Sequence, residues 1–170
     1  MRIFSVEEDH LNYNFTYHLE EKKNIQKSLT DNKKIELNDL RRIALWKYDR
    51  IIDVEDCVLE NLFDVATSVN VTIDDIKVHD AIKQLTSCEG VGFPLASSIL
   101  KFINPDVFPI IDIRAYRAIY GKKIYSSQYN IKKYVDYTKQ IYQIRDKFDI
   151  PLEEVDERLY MFDKQHNGKL

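Results

Sequence analysis

Residues 85–112 read LTSCEGVGFPLASSILKFINPDVFPIID, and this stretch decides the fold. Ahead of Glu89, Ile76, Ile82 and Leu85 belong to one apolar helical face; beyond it, Leu95, Ile99, Leu100 and Ile103 repeat that period. Only a Gly90-Val91-Gly92 turn separates the two. Helices joined so tightly must reverse sharply, and glycine admits the positive φ and the close helix approach that a reversal needs. The turn also aims backbone N–H groups outward at a helix N-terminus, a small anion site suited to one DNA phosphate, while neighbouring carbonyls can hold a monovalent cation. Contact of that kind reads backbone rather than base.

The apolar period predicts helices over 38–48, 54–69, 72–88, 93–103, 113–120, 130–148 and 152–162. Leu40, Ile43, Ala44 and Leu45 form the expected core stripe of the first, with Trp46 nearby, and Val58, Leu62, Val65 and Ala66 that of the second. Thr72, three residues before Asp75, reads as an N-cap; Gly121 reads as a helix stop and Pro151 as a helix start. Turn-prone linkers are expected at 30–34 and 121–128. Together with only 4 Gly and 4 Pro, this predicts an all-α bundle of about eight helices, either one compact domain or two-lobed around a shared core. A length of 170 residues suits a single domain. The apolar run 108–111 alone hints at a strand.

The formal charge of −3 opposes nucleic-acid binding only on average. Residues 51–80 carry eight acids against Lys77, whereas residues 101–145 carry nine bases against Asp106, Asp112 and Asp136. Such segregation suits a one-sided phosphate-binding face. Two cysteines without a C-x-x-C pair suggest neither a disulfide scaffold nor a zinc or iron–sulfur site, and point to a reducing, cytoplasmic setting. His10, His18, His79 and His166 show no metal-ligand spacing and read as surface or capping residues. No stretch of about 18 apolar residues occurs, so no membrane role is expected.

With Gly90, Val91, Gly92, Ala96, Pro105, Pro109 and Asp112 in order, and 22 residues from the first glycine to the aspartate, residues 80–120 resemble the helix-hairpin-helix superfamily of base-excision DNA glycosylases, which includes endonuclease III. The resemblance implies a DNA-binding hairpin at Gly90, Val91, Gly92 and Phe93, double-stranded DNA as partner, and Asp112 as the catalytic carboxylate. Lyase-competent members carry a Schiff-base lysine where this chain has Pro94, so the resemblance implies a monofunctional N-glycosylase acting on a damaged or modified base. The cluster-binding cysteines of some members are absent, and no iron–sulfur cluster or other cofactor is implied. Glu89 stands where the superfamily often has Pro or Lys, and its carboxylate would repel a phosphate.

Breaking an N-glycosidic bond leaves positive charge on the sugar, which an ionised carboxylate stabilises. Asp112 also precedes Ile113 and Arg114 as a helix N-cap would, and the residues alone leave both roles open. Lys101, Arg114, Arg117, Lys122 and Lys123 are the expected phosphate contacts, and Trp46, Phe93 and Tyr116 the expected wall of a pocket for an extruded base. A catalytically silent DNA-binding or assembly module is the alternative.

Overall fold

In the computed structural model, which describes residues 18–32, 35–68 and 70–170, regular structure is all helical: eight α-helices and one 3-10 turn, with no strand among the described residues. The helices are α1 (Leu19–Asn32), α2 (Leu37–Lys47), α3 (Asp56–Thr67), α4 (Ile76–Ser87), α5 (Phe93–Ile103), α6 (Ile113–Tyr120), α7 (Ile131–Phe148) and α8 (Leu152–His166). The chain divides into two compact units, residues 1–51 and 52–170. His10 lies outside the described residues.

In the first unit α1 packs on α2 around the buried Ile25. Arg42 clasps Glu21 through two parallel hydrogen bonds of 3.0 and 3.1 Å, and the Glu36 N–H donates to the Asp39 carboxylate to start α2. The expected core stripe of α2 is not core: Leu40 and Leu45 are 54% and 50% exposed, and Ile43 and Ala44 are exposed with them. Apolar periodicity identifies a helix face, but only a partner element buries it, and among the described residues none covers this one.

The second unit holds a continuous core built from α3 to α8, with Val65, Val78, Ile82, Leu85, Leu100, Phe108, Tyr134 and Ile141 almost fully enclosed. Its helices pack as α3 on α4, α4 on α5, α6 on α8 and α7 on α8. Two capping expectations separate here. Asp75, not Thr72, stands at the N-cap of α4, and its carboxylate accepts from the Thr72 N–H at 2.8 Å, so the helix opens later than predicted. Gly121 does end α6, in the left-handed conformation at φ 67°.

Candidate functional site

The turn between α4 and α5 uses its two glycines differently. Gly90 has φ 78°, a left-handed conformation that a side chain resists, whereas Gly92 is extended at φ −80°, ψ 165° and caps α5. A Cβ at Gly92 would meet only Pro94 Cδ, at 3.9 Å. Val91 is buried and anchors the turn in the core, and Glu89 is exposed. The Cys88 carbonyl accepts from the Val91 N–H, and the Glu89 carbonyl from that of Asp53.

From the end of α5 the chain runs through an irregular segment, residues 104–112, where the hinted strand at 108–111 does not form. A buried segment must still satisfy its backbone, and here side chains do so. The Val107, Pro109 and Ile110 carbonyls accept from the hydroxyls of Tyr142, Tyr134 and Tyr137 on α7, at 2.7, 2.8 and 2.9 Å. The Ile110 N–H donates to Asp156 of α8, and the Ile111 N–H to Ser97 Oγ of α5. Ser97 Oγ in turn donates to the Pro94 carbonyl, coupling the first turn of α5 to this segment.

The segment delivers Asp112 to the N-terminus of α6. One carboxylate oxygen, Oδ1, accepts from the Arg114 and Ala115 N–H groups at 2.7 and 3.1 Å; Oδ2 accepts from no described residue. The capping role is therefore real, and it leaves one oxygen of a half-buried carboxylate uncommitted.

The expected phosphate contacts divide. Lys101 is only 7% exposed; its ammonium donates to Asp156 at 3.0 and 3.2 Å, to Glu157 at 2.9 Å and to the Glu153 carbonyl at 2.6 Å. Burial pulls this ammonium down, but Glu157 and Asp156 raise it above its ordinary value. Arg114 and Arg117 both bind Asp163 of α8, whose side chain is wholly enclosed, and both reach the Gly168 carbonyl. Hydrogen bonding from Arg117, outweighing burial, lowers the Asp163 carboxyl to about 2. These three cations thus neutralise acids of α8; of the five expected contacts, Lys122 and Lys123 are the two that stand exposed without an acid in ion-pair range among the described residues.

The expected pocket aromatics are also dispersed. Trp46 belongs to the first unit; Tyr116 is 7% exposed, with its ring against Tyr120 and Tyr137 in the core of the second. Phe93 borders a groove of about 640 Å³ beside the α4–α5 turn that also involves Lys83 of α4, Tyr129, Asn130 and Lys132. Its ring stacks on Tyr129 with centroids 5.8 Å apart and meets Tyr134 edge-on. Burial, then the charge of Asp112, then Tyr116 push the Tyr129 hydroxyl up to about 12. Sequence reading missed Lys83, Tyr129 and Lys132, which lie on separate elements.

Cys57 and Cys88 are free thiols, and among the described residues no group of three or more His, Cys, Asp or Glu side chains could hold a metal ion. No described helix is long and apolar enough to cross a membrane. No family model, curated protein or solved structure matches this chain.

Proposed function

We propose that the chain binds double-stranded DNA and acts as a monofunctional N-glycosylase on a damaged or modified base. The observation that carries this reading is Asp112: a half-buried carboxylate with one oxygen held by two amides of α6 and the other uncommitted, 22 residues beyond a glycine hairpin. The C1′–N bond breaks with its electron pair leaving on the base. The Asp112 carboxylate stabilises the positive charge left on the sugar and takes a proton from the water whose oxygen bonds to C1′. A carboxylate pinned by its segment needs little reorganisation as that charge develops. Pro94 offers no amine for a Schiff base, so the abasic strand stays intact until alkali cuts it.

Lys101, Arg114 and Arg117 favour a second reading, a silent DNA-binding or assembly module, because their charges serve α8 rather than a phosphate surface. Asp112→Asn separates the two. Asparagine keeps a capping oxygen, so the fold persists; under the first reading excision is abolished, and under the second there is no excision to lose and DNA affinity is unchanged or raised.

A further inference from the structure

We infer that the groove beside the hairpin seats one unstacked nucleotide of a DNA strand, its base against the Phe93–Tyr129 pair and its flanking phosphates at Lys83 and Lys132. The inference rests on DNA being the partner and is independent of the chemistry of Asp112.

Three features converge on it. The groove, at about 640 Å³, falls within the size range of small-molecule sites and is walled by two aromatic rings, and a π-face accepts any base. Its two lysines come from α4 and α7, 49 positions apart in sequence, yet border one opening together with Gly92 at the N-terminus of α5. Each lysine pairs only with an acid of its own helix, Lys83 with Asp80 and Lys132 with Asp136, at exposed sites where such pairs contribute little; a phosphate can replace either acid.

Tyr129 supplies the third feature. Tyr134, Tyr137 and Tyr142 each donate to a backbone carbonyl, whereas the Tyr129 hydroxyl is enclosed with no hydrogen-bond partner among the described residues. An unpaired buried hydroxyl costs stability, and such costs persist where a side chain serves binding. Its ring is nevertheless held in place by Phe93, so the stacking surface is formed before any strand arrives.

The test uses 2-aminopurine as the probe base, placed in a single strand, opposite an abasic site in a duplex, and in a fully paired duplex. The proposal expects the wild-type protein to prefer the two unpaired probes and to change their emission through stacking. Tyr129→Leu should weaken that binding about tenfold and remove the emission change. Lys83→Gln with Lys132→Gln, at exposed positions that leave the fold intact, should reduce the salt slope of single-strand binding by about 1.4. Equal binding of paired and unpaired probes, or variants that bind like wild type, would overturn the groove assignment. Excision assayed on lesion-bearing duplexes in parallel keeps the two ideas apart. Stacking without any excision removes the Asp112 chemistry and leaves the groove, while excision by a protein that binds paired and unpaired probes equally does the reverse. Absence of all DNA binding removes both.

Discussion

Asp112 caps α6, and one substitution can separate that role from the catalytic one proposed for it. Its Oδ1 caps α6 and its Oδ2 faces no described donor. Asp112→Ala should cost about 1 kcal/mol of stability through the lost cap, whereas Asp112→Asn should melt close to wild type and still lose excision. The two glycines of the α4–α5 turn split in the same way. Gly90→Ala forces a side chain into a left-handed conformation and should destabilise by about 1 kcal/mol in thermal melts. Gly92→Ala should leave the melt unchanged, since its Cβ meets nothing closer than 3.9 Å, and weaken DNA binding by placing a methyl where a phosphate would approach the α5 amides. The need for glycine was legible in the sequence, but not which of the two carries the positive φ. Lys83, Tyr129 and Lys132 were not legible together, because their proximity depends on how α4 and α7 meet the hairpin.

At the scale of elements, helix bounds were readable wherever a chemical stop coincided with the apolar period. Gly92 and Asn104 bracket α5, and Asp112 and Gly121 bracket α6, both over the residues expected. α1 escaped because LEEKKNIQKSLTDN offers only Leu19, Ile25 and Leu29 as large apolar positions, too few to mark a face. The run 108–111 looked like a strand because its side chains are apolar; its backbone is instead satisfied by tyrosines, Ser97 and Asp156 from three helices. Lys101→Met should therefore be costly, by about 3 kcal/mol in denaturant unfolding, since Asp156 would remain buried beside a weaker set of donors. Asp163 predicts a pH effect of definite sign. Its folded value of about 2 lies below the ordinary 3.8, so its stabilisation is complete above roughly pH 4 and is lost as pH falls towards 2. Asp163→Asn should be less stable than wild type at neutral pH and should lose less stability across that acid interval, as followed by circular dichroism.

For the molecule as a whole, the all-helical class followed from few glycines and prolines and a persistent helical period, and the structure agrees. The charge asymmetry was a less direct guide. The basic run at 101–145 exists, but Lys101, Arg114 and Arg117 spend their charge on acids of α8 that are remote in sequence, a use no one-dimensional count reveals. The exposed cations Lys122 and Lys123, with Lys83 and Lys132 at the groove, would make the phosphate contacts of the proposed DNA binding, whose affinity should then fall steeply between low and physiological salt. The proposed function stands or falls with base excision at Asp112. Its most direct test is the formation of alkali-labile sites in duplexes that each carry one of several damaged or modified bases. At least one duplex should be cut, dependent on both alkali and Asp112; intact strands across the panel, with DNA still bound, would rule out base excision.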